Sequence, residues 1–289
     1  MSSSRKSTTR QAHRSQKNLP SAERELRSGS KHRTHPPLWN RIFSVWYRHV
    51  RVYSKNLISN GFPPFLEPLI FLAGIGLGLG NYIEQMKGFP YLQFLSSGLL
   101  VSTAMFTAAF ECSFGTFIRL EFDKVYDGML SAPITANNLL IGEMLWAGTK
   151  GFFFTIPVMI VVSSFRILPV GRVMLAPVVG FLTGTMFAAF SLFVTSFVKT
   201  INHFNFYFTG FISPMFFFSG IVFPVDNLPS FIRPLAELLP LTHPVRISRS
   251  VCLNTVSLPL FFTDLLYIAV FTFFFGLFAV KRLKRRLIN

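Results

Sequence analysis

Six apolar segments, at about 62–80, 91–118, 139–165, 173–198, 204–224 and 258–280, dominate this 289-residue sequence. Each is close to the roughly 20 residues a helix needs to cross a bilayer. A soluble fold would have to enclose all six in one core, and a chain of this length cannot cover so much apolar surface. Only 14% of the residues are charged, against about 25% in soluble domains. Thirty-six are Phe, a side chain with no polar atom to satisfy. The expected fold is an all-α integral membrane protein with six transmembrane helices.

A formal charge of +16 might suggest nucleic acid, but the charge is not distributed for it. Thirteen of the 28 Lys and Arg precede residue 56, and five more lie in the terminal "KRLKRRLIN". No helix-turn-helix, finger or RNA-binding signature accompanies them. With the first residues inside, the segments between spans put 22 Lys and Arg on the inner side and 6 on the outer. Cytoplasmic loops carry such an excess, so both termini are expected in the cytoplasm. Residues 1–37 are rich in Ser, Arg, Lys and Thr, and read as a disordered basic cytoplasmic tail. A transit peptide has a similar composition. Residues 38–58 read as an interfacial elbow helix, with Trp39, Ile42, Phe43, Trp46, Val50, Tyr53 and Leu57 on one face. Residues 59–289 make up the six-helix domain.

One cytoplasmic segment is unusual. "RLEFDKVYDGMLSAP", Arg119–Pro133, carries five charges between two long apolar runs. Phe122, Val125, Tyr126, Met129 and Leu130 fall at i, i+3, i+4, i+7 and i+8, the period of a helix with one apolar face. Such a helix is either a docking surface or a connector lying on the membrane.

Other features carry less. "FLAGIGLGLG" lacks GxGxxG; its Gly74/Gly78 and Gly76/Gly80 pairs read as small-xxx-small packing between helices. Glu67, Glu111 and Lys150 sit in or beside spans. Charges at that depth need partners or a wet cavity. An ion pair holding the bundle is the plainer reading and a proton relay the sharper one. HExxH, GxSxG and GxxxxGK[ST] are missing from the sequence, and His243 has no second ligand at helical spacing. No catalytic or metal site is expected. Cys112 and Cys252 form no framework. The segment 225–257 holds prolines at 229, 234, 240 and 244 among apolar residues, following Pro224. Broken re-entrant helices on the outer side fit that pattern.

"PMFFFSGIVFPVDNLPSFIRPLAELLPLTHPVR", Pro214–Arg246, resembles the signature region of ABC-2-type transporter permeases. Phe94–Trp146 and "LEPLIFLAGIGLGLG" are similar to the permease group of the nodulation lipo-oligosaccharide exporters. The resemblance runs from about Trp39 to the C-terminus. It implies a homodimer of permeases in the cell inner membrane, in contact with lipid and bound to two separate ABC ATPase subunits. Those subunits would bind ATP and Mg, with no cofactor in this chain. It implies export of amphipathic cargo such as lipo-oligosaccharide, polysaccharide or drug-like molecules. The charged loop would be the coupling helix. Glu121, Asp123, Lys124 and Asp127 would meet the ATPase, while Phe122, Tyr126 and Met129 anchor the helix. Phe204, Phe208, Phe211, Met215 and Phe218 are a candidate lining for the cargo path. An ion-coupled secondary transporter or channel, using Glu67 and Glu111 as ligands, is the alternative.

Overall fold

The computed structural model describes residues 36–55 and 66–288. Residues 1–35 of the tail expected over 1–37, the last residues of the elbow and the start of the first span therefore lie outside the described residues.

The chain forms ten helices and one hairpin among the described residues: α1 (Leu38–Ser54), α2 (Leu66–Gly80), β1 (Gln85–Met86), β2 (Phe89–Pro90), α3 (Tyr91–Phe122), α4 (Val125–Leu130), α5 (Ala136–Ser164), α6 (Val170–Thr195), α7 (203–218), α8 (Arg233–Leu238), α9 (Thr242–Leu253) and α10 (Leu258–Ile288). A single 3-10 turn, Val225–Asn227, precedes α8. Four of these helices, α3, α5, α6 and α10, are long and apolar enough to cross a membrane. At 1.5 Å per residue each exceeds the roughly 30 Å of a hydrocarbon core. The remaining two expected spans are shorter where described. α2 begins at Leu66 and turns π-helical over Leu72–Leu77. α7 stops at Phe218, six residues before the expected end, because Ser219 leaves helical geometry and Gly220 takes φ +83.

α6 lies at the centre, packed on α5, α10 and α3. The α5–α6 contact depends on glycines. A Cβ on Gly151 would meet the Gly180 carbonyl oxygen at 2.6 Å, one on Gly180 would collide with the Thr155 hydroxyl, and one on Gly184 would press on Ala147. Within the chain, close helix packing through small residues therefore occurs here rather than in "GIGLGLG". There only Gly76 is close to a neighbour, Leu92; Gly74, Gly78 and Gly80 face open space. α10 lies at the periphery, with only 17% of its apolar stretch buried.

Three local expectations change. Residues 85–90, anticipated as plain loop, form a two-stranded hairpin because Lys87 and Gly88 both adopt positive φ, 53° and 80°, as a tight turn demands. α1 buries Ile42, Val45 and His49 against the bundle, whereas Trp39 and Phe43 of the anticipated face remain exposed. The charged loop is not one continuous helix. α3 runs to Phe122 in a π-helical turn, then Lys124 at φ +51 breaks the chain before α4 begins.

That break decides what the loop presents. Tyr126 and Met129 are buried, while Phe122, expected beside them, is 64% exposed. It ends α3 and so points away from the α4 face. The segment from Val225 to Leu253, cut by its prolines, forms a 3-10 turn and two short helices, and α9 lies along α3 and α10. His243 Nδ1 meets Asp264 Oδ1 of α10 at 2.8 Å and stacks on Tyr267, tying α9 to α10.

Candidate functional site: a charged network at the base of a cavity

A cavity of about 800 Å³ opens between α1, α2, α3, α5 and α7. Much of its wall is aromatic: Phe71, Phe106, Phe110, Phe216 and Phe217. One part of the wall is charged, where His49, Glu111, Arg119 and Lys150 reach it. Glu67 also lines the cavity, and among the described residues it has no ion-pair partner.

The charged wall is a connected network. Lys150 Nζ donates to Glu111 Oε2 at 2.8 Å, and Arg119 Nη1 donates to Glu111 Oε1 at 2.8 Å. Arg119 Nη2 continues to Glu143 Oε2 at 2.8 Å, and the Tyr126 hydroxyl donates to Glu143 Oε1 at 2.8 Å. His49 Nε2 of α1 lies 2.9 Å from the same Glu143 oxygen. Lys150 Nζ also sits 4.5 Å from the Tyr53 ring centroid, a cation–π contact that holds α1 against α5.

Glu111, Glu143, Arg119 and Lys150 sum to zero formal charge. Each buried ion therefore has an opposite partner, the condition for tolerating charges in a low-dielectric interior. His49, Glu111 and Glu143 bring possible metal-ligating atoms within 4.8 Å of one another. Both carboxylates, however, already accept from Arg119 or Lys150, and a divalent ion would have to displace a cation. The same occupancy argues against Glu111 as an ion ligand in secondary transport.

Tyr126 belongs to α4, so the network reaches out of the span region into the loop. Burial, reinforced by the Glu143 carboxylate, pushes the Tyr126 phenol far above its ordinary range, so it remains a donor. On the solvent side of the loop, Asp123 and Lys124 just before α4 and Asp127 within it are exposed. Glu121, expected to face outward with them, is turned inward. It accepts from Arg286 at 2.7 Å, and Arg286 also donates to the carbonyls of Thr195 and Val198. The base of the loop is thus fastened to the ends of α6 and α10.

The candidate cargo residues of α7 do not line this cavity. Phe204 packs on Phe114 and Phe117, Phe208 stacks on Phe110 at 4.2 Å, and Phe211 lies 5.0 Å from Phe190. Met215 is buried and Phe218 is partly exposed. These side chains fix α7 to α3 and α6, while Ser213, Phe216 and Phe217 face the cavity.

Glu143, Arg119 and His49 complete the network; Glu143 lies inside the expected span 139–165 and Arg119 opens the charged segment, yet sequence pattern does not join either to Glu111. One signal was present: Glu143 precedes Lys150 by seven residues, two helical turns, which puts both on one face of α5. His49 carries no such signal.

Long apolar helices around an amphiphilic cavity, with charged groups at its wall and a short exposed helix below it, describe a helical membrane transport domain. The chain belongs to the ABC-2 type transporter family, whose sequence model matches residues 40–253. It is similar to nodulation protein J of Sinorhizobium fredii (strain NBRC 101917 / NGR234), with 33% identity over 87% of this chain and 95% of that one. Nodulation protein J of Rhizobium meliloti (strain 1021) is 32% identical over 75% of this chain and 82% of its own. The inner membrane transport permease YadH of Escherichia coli (strain K12) is 22% identical over 71% and 80%. The chain is accordingly a transport permease subunit, and membership of the family implies an ABC ATPase partner.

Proposed function

We propose that the chain is the membrane subunit of an ATP-driven exporter, assembled as a homodimer with two separate ATPase subunits that bind ATP and Mg. α4 is the coupling helix. Its exposed Asp127 meets the ATPase together with Asp123 and Lys124 just ahead of it, while Tyr126 and Met129 seat it in the membrane domain. The observation that carries this reading is the line of polar contacts from Tyr126 through Glu143, Arg119 and Glu111 to Lys150. It joins the helix exposed to a partner with the wall of the cavity. Closure of the ATPases shifts α4, and Tyr126 carries that shift to Glu143 and Arg119.

The cargo is amphipathic. Its apolar portion lies against Phe71, Phe106, Phe216 and Phe217, and its polar portion lies beside the charged wall, where the groups are already mutually paired and bind it without a large desolvation penalty. Six crossings, with α2 and α7 as the two shorter ones and both termini cytoplasmic, satisfy the Lys and Arg distribution. α1 is the interfacial elbow, its exposed Trp39 and Phe43 facing lipid. The bacterial inner membrane is the location supported by the name of one relative, the inner membrane transport permease YadH.

Co-reconstitution with the cognate ATPase tests this. Asp123→Lys combined with Asp127→Lys reverses the exposed acidic charge in and just before α4 without touching its buried face. Loss of co-purification and of coupled ATPase activity is the expected result. A complex that survives with full coupling removes α4 from the docking role. Solute uptake driven by an ion gradient in liposomes without any ATPase would instead support the ion-coupled alternative, for which Glu67, without an ion-pair partner among the described residues, is the specific candidate.

A further inference from the structure

The guanidinium of Arg249, on α9, has no carboxylate partner among the described residues. Its Nε donates to Ser97 Oγ at 3.4 Å, and its Nη2 donates to the carbonyls of Phe94 at 3.3 Å and Gly220 at 2.7 Å. The group lies over the Phe94 ring, 3.6 Å from the centroid. All of these partners are neutral, so hydrogen bonding is partly met while the positive charge is not. An arginine carries five N–H donors. The two on Nη1 find no acceptor among the described residues.

Arg249 forms part of the wall of a second cavity, of about 340 Å³. Ser97 and Arg119 both lie on α3, separated by about 33 Å of helix at 1.5 Å per residue. This cavity is therefore remote from the charged network. Ser219 lines it too, and is 1% exposed with no hydrogen-bond partner for its hydroxyl. A buried hydroxyl left unpaired is costly, and here it shares a cavity with unpaired guanidinium donors.

The cavity also contains three carboxylates, and each is already engaged. Asp226 accepts from Lys87, Glu237 accepts from Arg246, and Asp264 is met by His243 at 2.8 Å and Arg246 at 3.4 Å. None reaches Arg249. What the cavity lacks is an acceptor carrying negative charge beside Arg249 and Ser219.

We propose that this cavity binds one acidic group, a carboxylate, sulfate or phosphate, through Nη1 of Arg249 and the hydroxyl of Ser219. The two N–H donors of Nη1 suit an oxyanion because a charge-assisted hydrogen bond is shorter and roughly twice as strong as a neutral one. The volume admits a headgroup or an anionic substituent, but not the chains of a lipid. Two sources supply that chemistry: an acidic group on a soluble or transported molecule, and the phosphate of a membrane lipid.

The test uses the full-length protein in a phosphate-free maltoside detergent, titrated calorimetrically with sodium sulfate. In parallel, nanodiscs of phosphatidylcholine with and without phosphatidylglycerol are examined by native mass spectrometry for retained lipid. The expected result is saturable sulfate binding or selective retention of phosphatidylglycerol. The first assigns a soluble acidic group and the second a lipid. Ser219→Ala weakens either by about tenfold, the scale of one hydrogen bond to a charged group. It leaves the Arg249 contacts to α3 intact, so it remains informative if Arg249→Lys, which removes Nη1, unsettles the fold. Binding of neither probe by the unmodified protein, or binding that both substitutions leave unchanged, overturns the proposal.

Discussion

Charge balance in the network makes a prediction that a list of contacts does not. Glu143 is fully buried and faces Arg119, Tyr126 and His49 within 2.9 Å. Glu143→Leu leaves Arg119 with one carboxylate for two cations, and the cluster moves from zero to one positive charge. Arg119→Leu has the mirror effect and leaves one negative charge in excess. Breaking a buried pair from one side costs about 3–5 kcal/mol, mostly from the stranded charge. In the double variant both excesses vanish, and Glu111 keeps Lys150 at 2.8 Å. If the two losses were independent they would sum to about 6–10 kcal/mol. Charge balance instead predicts a double variant no worse than about one single variant, a coupling of at least about 3 kcal/mol. Unfolding in mixed dodecyl sulfate and maltoside micelles, followed by Trp fluorescence, measures it. Trp146 is a local reporter because its ring lies 5.9 Å from that of His49. Double-variant losses equal to the sum of the singles within about 0.5 kcal/mol would refute the reasoning.

Three further outcomes follow from the same geometry. Tyr126→Phe deletes the hydroxyl given to Glu143 and should cost about 1.5–3 kcal/mol, while ATPase stimulation by the membrane subunit falls and ATPase binding does not; unchanged stimulation would detach Tyr126 from coupling. Gly151→Val forces a Cβ onto the Gly180 carbonyl at 2.6 Å and should destabilise by about 1–3 kcal/mol, seen as a lower unfolding midpoint, whereas Gly78→Val, with open space around it, should leave the isolated subunit's midpoint unchanged. The hydrogen bond from Lys87, together with its charge, holds the Asp226 carboxyl below its usual 3.8. A lowered folded-state pKa means that this link contributes above the unfolded value and is lost as pH falls through the folded one. Hydrogen exchange at residues 85–90 should therefore rise only on strong acidification, and a rise beginning near neutrality would contradict it.

What the sequence displayed, and what it hid, divides along one physical line. Hydrocarbon demands apolar length, so α3, α5, α6 and α10 can be read from composition alone, and prolines show where residues 225–253 break. Backbone conformations that a side chain only tolerates leave no such mark. Lys124 at φ +51 cuts a segment with an unbroken helical period, moving Phe122 off the face that buries Tyr126 and Met129. The π-helical turns Glu111–Gly115 and Ile118–Phe122 rotate the end of α3, which is how Glu111 and Arg119, eight residues apart, come to meet. Small-residue packing was legible as a principle, yet within the chain it falls between α5 and α6, because spacing reveals that a close approach is permitted without naming the partner.

The network was hidden for a deeper reason. Glu111 and Lys150 announce themselves, since a charge inside an apolar run is costly enough to need explanation. Their neutrality, however, is a property of four residues from two helices, and the links to α1 and α4 come through His49, unremarkable where it stands in the sequence, and Tyr126, whose helical period marks a buried face without marking a polar partner. A group of charges that cancels only when α3 and α5 are correctly aligned penalises any arrangement that slides one past the other. The same penalty makes it a stiff connection between the loop and the cavity: displacing α4 without disturbing Glu143 would require breaking the Tyr126 contact, and moving Glu143 carries Arg119 with it. Stiffness of this kind is what a subunit driven from outside requires, and an exporter that moved its own cargo with a bound ion would instead need a carboxylate left free to take and release it.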